Sequence, residues 1–248
     1  MTGRPPILFP LFAALESLPG VGDKTAGLFS QLGITRPRDL VFTLPYAVID
    51  RRPVATVQGI AAGTTVTVAA EVVSHAPARR RGQPSRVTML DESIEIQLVF
   101  FHAKGDWLQR QLPIGTTRVI SGKLEFFDGQ AQIVHPDYIL TEEEAKTLPR
   151  FEPIYSLTAG LSQKLYAKAV QGALARVTPL AEWIDPALKA REGWPDFADA
   201  VAAAHAPSHL GDLAAQSPAR ARLAYDELFA HQLTLALARR KQRSGKGR

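Results

Sequence analysis

The sequence predicts an α+β protein in which a five-stranded β-barrel stands between two helical segments. Three observations carry that expectation. Apolar residues recur at helical spacing up to about residue 44, at a spacing of two from about 63 to 140, and at helical spacing again after Pro153. These changes of period divide the chain into 1–60, 61–145 and 146–248.

In the first segment Leu11, Leu15 and Leu18 and then Ala26, Leu28, Phe29 and Leu32 mark two helices. Pro19-Gly20-Val21-Gly22 separates them, and Gly33 supplies a C-terminal stop. A third short helix is expected near Arg38 to Leu44, ending at Pro45. The turn at Leu18–Ala26 has the form of a helix-hairpin-helix. Its glycines let the backbone turn tightly, so Gly20, Gly22 and Lys24 are candidates to meet a phosphate at the next helix's N-terminus. The alternative is a tight turn between packed helices, capped by Asp23.

The middle segment reads as strands at Thr65–Ser74, Arg86–Leu90, Ile94–Phe101, Arg118–Phe127 and Gln130–Val134, rich in Thr, Val and Ile. Asp128-Gly129 joins the last two as a hairpin turn. Lys104–Leu112 has the length of a short helix between the third and fourth strands. Five strands with that helix in that place is the order of an OB-fold barrel, although SH3-like barrels and plain sandwiches share much of the spacing. The third segment predicts helices over Lys164–Val177, Pro186–Arg191, Phe197–His205 and Arg220–Arg243, punctuated by prolines at 179, 195, 207 and 218.

Composition excludes several functions. The chain has 248 residues and no cysteine, which removes disulfide frameworks, thiolate metal sites and cysteine nucleophiles. It has neither a membrane-length apolar run nor a signal-peptide core, so a cytoplasmic, membrane-free protein is expected. The formal charge of +5 is uneven, because Arg239–Arg248 contains no acid and the body is close to neutral. A second basic cluster is Arg79-Arg80-Arg81 with Arg86. His205, His209 and Asp212 have ligand-like spacing, but Pro207 breaks the helix such a metal site needs. There is no G-x-S-x-G elbow and no P-loop pattern. No catalytic residues, metal or cofactor are expected of this chain itself.

Parity along the third strand is more informative. Ile94, Ile96, Leu98 and Phe100 share a core face, which leaves Phe101 on the polar face. An exposed aromatic there suits base stacking, and Trp107 follows at the start of the short helix. The alternative is that Phe101 packs under that helix and Trp107 belongs partly to the core. The loop holding Arg79–Arg81 borders the usual OB-fold groove, where it grips phosphates or is simply solvated. Phe126-Phe127, beside the Asp-Gly turn, reads as hairpin packing in preference to a stacking site.

Several segments together resemble the N-terminal part of the RecG-type branched-DNA helicases. They are Leu18–Gly22 with Leu32-Gly33-Ile34, Asp39-Leu40 through Leu44-Pro45, Asp50-Arg51, Phe100-Phe101-His102, His135–Tyr138, Pro153–Lys164 and Arg222–Leu233. Ala47 and Val48 depart from the family, in which Arg and Tyr are common. The resemblance implies an OB-fold wedge that splits stalled replication forks and Holliday junctions in DNA repair and recombination. Its partners would be branched DNA, the single-strand arms and the motor domains that follow. It further implies that Phe101 stacks on a base at the branch point. Trp107 best matches a second stacking aromatic, at a longer spacing than in some relatives. Arg79, Arg80, Arg81, Arg86 and Lys104 would hold phosphates. ATP and Mg²⁺ would belong to the parent, an ATP-dependent 3′–5′ helicase active at the nucleoid, and this chain reads as its non-enzymatic N-terminal fragment. The rival expectation is a stand-alone OB-fold adaptor that binds a protein.

Overall fold

The computed structural model describes residues 4–80, 82–101 and 105–245. In chain order the first elements are α1 (Asp23–Gln31), α2 (Pro37–Phe42), β1 (Ala47–Asp50), β2 (Pro53–Val54), β3 (Thr65–Ala76), β4 (Ser85–Leu90) and β5 (Glu95–Phe100). There follow α3 (Gly105–Gln111), β6 (Thr117–Phe127), β7 (Gln130–Val134), β8 (Tyr138–Leu140), α4 (Glu142–Ala145) and β9 (Phe151–Ile154). The last are α5 (Gln163–Leu174), α6 (Pro186–Glu192), α7 (Phe197–His205) and α8 (Pro218–Gly245).

The chain forms two compact units, and the three segments of the sequence reading gather differently into them. The barrel unit runs from Ile49 to Glu152, whereas the chain up to Val48 and the chain from Pro153 onward make the other unit together. The reason is burial. Leu15, Leu18, Phe29, Ile34 and Leu40 share one core with Tyr155, Tyr166, Ala169, Val170 and Val201. Neither set of short helices has enough apolar surface to close a core alone.

In the barrel unit, β3, β4, β5, β7 and β6 follow one another, and β3 pairs with β6 to close the ring. The β5–β7 pair is parallel and the other barrel pairs are antiparallel. This is the OB-type order that the sequence predicts. Alternation places Val66, Val68, Val87, Met89, Ile96, Leu98, Leu124 and Ile133 inside, with Leu108 of α3 packed against them. A register shift between Val72 and Ser74 marks a bulge in β3, and bulges bend a long strand. Gly122 is needed for close approach. A Cβ there would stand 2.6 Å from Ile133 Cγ2 and 3.2 Å from Pro136 Cα.

The pair β1–β9, strand β2 alongside β3 and the outer strand β8 have no sequence counterpart above. The strands β1, β2, β8 and β9 among them are two to four residues long, too short for a period to show. The helix expected around Leu11–Leu18 is instead a pair of 3₁₀ segments, Pro6–Phe12 and Leu15–Ser17. Pro6 and Pro10 lack the N–H groups an α-helix would use. Asp23 does not cap α1. Gly22 occupies the cap position, and Asp23 is the first helical residue.

Arg51 is buried in the barrel unit. Its Nε donates to Glu152 Oε2 at 2.6 Å, and Nη1 reaches Ser121 Oγ at 2.8 Å and Asp137 Oδ2 at 3.0 Å. Tyr138 Oη donates to the other Glu152 oxygen at 2.6 Å, and burial with that carboxylate pushes the phenol pKa up. In the other unit Arg222 is fully buried and forks onto Glu182 at 2.9 and 3.0 Å, with Nε on Asp226 at 2.9 Å. The Arg222 guanidinium, above all, holds the Glu182 carboxyl down at about 2.

His205 is also buried. Nδ1 lies 2.9 Å from Tyr155 Oη, and Nε2 lies 2.9 Å from Val41 O. The carbonyl accepts only, so Nε2–H donates and Nδ1 takes the tyrosine proton, which describes a neutral imidazole. Burial lowers its pKa.

Two outcomes follow for stability. Arg51→Ala strands Glu152 and should cost about 3–5 kcal/mol in urea unfolding, whereas a small effect would mean water replaces the guanidinium freely. For His205, a lowered folded pKa means that the unfolded state binds the extra proton. The stability it contributes is therefore present above about pH 6.5 and is lost as pH falls toward the folded value. The melting temperature should drop through that window, and His205→Gln should flatten the drop; an unchanged slope would show that His205 is not its source.

Candidate nucleic-acid interface

Phe100 and Phe101 split at the end of β5 as alternation requires. Phe100 points into the barrel core, whereas Phe101 is 43% exposed. The structure adds a partner that sequence reasoning left unassigned, His135. Its own N–H donates to Val99 O at 3.0 Å, and its Nε2 accepts the Phe101 N–H at 3.2 Å. The imidazole lies 5.8 Å from the Phe101 ring, inclined by 38°. His135 holds a left-handed backbone, φ 48°, which turns it off the end of β7 toward Phe101. The sequence shows only a histidine followed by proline, and the positive φ is not legible from residue type.

Trp107 on α3 is 41% exposed and meets Phe100 edge-to-face, centroids 6.2 Å apart. Phe100 in turn lies 6.2 Å from His135. The four rings therefore form a chain, Trp107–Phe100–His135–Phe101, anchored in the core at Phe100 and open to solvent at both ends. Each end keeps ring surface free while the rest is packed: Trp107 leans on core residue Phe100, and Phe101 leans on His135.

Arg79 and Arg80 are exposed in the loop between β3 and β4. That loop is tied at its base by Ala78 N–H to Ser85 Oγ at 3.2 Å. Because Ser85 pairs with Phe100, the loop leaves the sheet at the Phe101 end. Arg86 is exposed on β4 opposite Val99, one step from Phe101 on the outer face. Among the described residues none of these three arginines has an ion pair. Arg81, His102 and Lys104 lie outside the described residues.

In the other unit, Gly20 has φ +81° and the Lys168 stem lies over it, with Nζ 3.2 Å from where a Cβ would be. Gly22 caps α1 without a side-chain bond, and Lys24 is exposed in the first turn. Lys168 joins Gly20, Gly22 and Lys24 from a distant stretch of chain, which spacing alone does not reveal. Asp23 sets a carboxylate at the same helix end. Among the described residues no group of acids and histidines is arranged to hold a metal ion. His205 faces the core, and exposed His209 lies 3.2 Å from Asp212. No described helix is long and apolar enough to cross a membrane.

Residues 16–177 match the family model for the RecG wedge domain. The chain is 25% identical over 236 residues to the ATP-dependent DNA helicase RecG of Acidithiobacillus ferridurans, covering 95% of this chain and 34% of that protein. It is 28% identical to the RecG of Thermotoga maritima, covering 90% of this chain and 28% of that one. Among solved structures, RecG bound to a three-way DNA junction aligns with a TM-score of 0.73 at 27% identity, over 93% of this chain and 32% of that chain. The chain thus spans about a third of the length of the relatives it matches. The matched stretch takes in the whole barrel and helical chain on either side of it, and this protein belongs to the RecG wedge domain family.

Proposed function

We propose that this chain is the junction-binding wedge of an ATP-dependent DNA helicase that remodels stalled forks and Holliday junctions. The observation that carries the reading is the pair of half-exposed rings, Phe101 and Trp107, at the mouth of a barrel like that of RecG bound to a three-way junction. Phe101 and Trp107 cap the two bases exposed where a duplex divides. Stacking of this kind contributes about 1–3 kcal/mol per base and reads no sequence. Arg79, Arg80 and Arg86, with Arg81 and Lys104, hold the arms by their phosphates. A second phosphate contact falls to Gly20, Gly22 and Lys24.

The parent's ATP and Mg²⁺ would be held by the two thirds of such a protein that this chain does not span. The α8 side chains fit that arrangement. Arg222 and Trp183 fix the base of the helix, whereas Leu228, Leu233 and Leu237 farther along are exposed. We read them as a surface for the motor portion.

The chain should bind a three-way fork more tightly than matched single strand or duplex, with affinity falling as salt rises. Phe101→Ala with Trp107→Ala should remove the fork preference while leaving the weak salt-dependent binding. Fork preference unchanged in the double variant would refute the stacking roles. His135→Ala is expected to act through Phe101, weakening fork binding about threefold to tenfold with little change in melting temperature. A large fall in melting temperature instead would make His135 a core residue rather than a support for the ring.

A further inference from the structure

We propose that the β6–β7 hairpin tip is a second stacking platform, on which Phe127 holds a single-stranded arm running from Phe101 along the outer face of β5 and β7. This rests on the reading of Phe101 as the first platform.

Phe126 and Phe127 are 46% and 60% exposed, and neither belongs to the barrel core. Packing on the hairpin thus leaves about half of each ring or more open to solvent. The turn itself is tight: Asp128 and Gly129 have φ of 49° and 79°, the pattern of a two-residue turn matched to the twist of its strands. The two rings leave the strand on opposite sides, Phe126 opposite core-facing Ala131 and Phe127 opposite Gln130, and Phe127 is the more exposed.

The register places Phe127 on the Phe101 face. Val99 stands opposite Val134, Gln97 opposite Gln132, and Gln132 opposite Glu125. Phe127 pairs with Gln130, two residues farther along the same side. Because β5 and β7 are parallel, the tip lies at the Glu95 end of β5, about 20 Å along the strand from Phe101.

The surface between the two rings has a definite chemistry. Thr88, Gln97, Gln132 and Glu125 cross it in one row, and Leu90, Glu95, Gln130 and Phe127 in the next. Neither row contains a lysine or arginine, so phosphates gain nothing there. Amides and carboxylates suit base edges, since carboxylates accept from amino groups and amides do both. A strand laid base-down, with the phosphates at its Phe101 end near Arg86 and the Arg79–Arg80 loop, satisfies both sets of groups. OB-folds engage about 4–16 nucleotides, so a track of this length is ordinary for the architecture.

The test measures binding of this chain to labelled forks with a single-stranded arm of about 2 or about 12 nucleotides, bracketing that range. Phe127→Ala should weaken long-arm binding about tenfold and leave short-arm binding unchanged, whereas Phe101→Ala weakens both. Phe127→Leu should behave like the alanine variant, and Phe127→Trp should keep affinity, with its indole emission quenched by the long arm. Phe127 is exposed, so an unchanged melting temperature verifies that the fold is intact. If Phe101→Ala weakens both forks but Phe127→Ala weakens neither, or weakens both equally, the second platform is wrong and the first stands. If Phe101→Ala weakens neither, the junction reading fails and this inference fails with it.

Discussion

The buried charge of Arg51 is the constraint on which the barrel unit depends. Arg51 and Glu152 are 101 residues apart in sequence, at the points where the chain enters and leaves this unit, and their ion pair closes it. A guanidinium taken out of water is costly unless paired, and Glu152 at Nε with Ser121 and Asp137 at Nη1 pair it from different elements. Ser121 itself is fixed, accepting from Thr67 Oγ1 at 2.7 Å and donating its one hydroxyl proton to Val66 O at 3.0 Å. The demand for satisfaction thus specifies how β3, β6 and the chain ends meet.

The same constraint reaches the candidate site through four residues. His135 receives Phe101 at one end of the segment His135-Pro136-Asp137-Tyr138, while Asp137 and Tyr138 face Arg51 and Glu152 at the other. Gly122 lets that segment cross β6 closely, because any side chain there would meet Ile133 and Pro136. A proline between the two contacts removes one more degree of freedom. Phe101 is therefore positioned by a strained, short span pinned into the core. An aromatic intended to meet a base gains from this, since ordering it on binding would otherwise cost entropy.

The five barrel strands, the hairpin turn and the long helices were legible in the sequence because each repeats a local rule over many residues. Alternation at Val66, Val68, Ala70 and Val72 and at Ile96, Leu98 and Phe100 needs no tertiary knowledge. The same alternation put Phe101 outside. What failed to show was pairing at a distance. The face of Leu15, Leu18 and Phe29 is visibly apolar, but nothing local says that Tyr166 and Val170 cover it. Short strands such as β2 exist only because a neighbour offers an edge. His135 and Lys168 were hidden for the same reason, one by its backbone angle and one by a contact with Gly20 from far along the chain. The different surroundings of Phe126 and Phe127 did not show either, because residue type alone gives neither strand parity nor the exposure of a hairpin tip.

The energies set the division of labour for a wedge of this kind. A stacked base contributes about 1–3 kcal/mol, and separating one base-pair step of duplex costs about 1.4 kcal/mol in lost stacking. Two rings at a branch therefore offset the opening of a step or two, which suffices to hold a junction open and to discourage re-pairing. They do not supply energy that accumulates as the branch moves, because every further step costs the same while the rings remain two. Sustained unwinding needs a separate source of work acting on the duplex, with the rings kept rigid enough that the work divides strands rather than bending the barrel. The buried Arg51 network and the Phe100 anchor meet that mechanical requirement, and they do so in a chain that spans about a third of its helicase relatives.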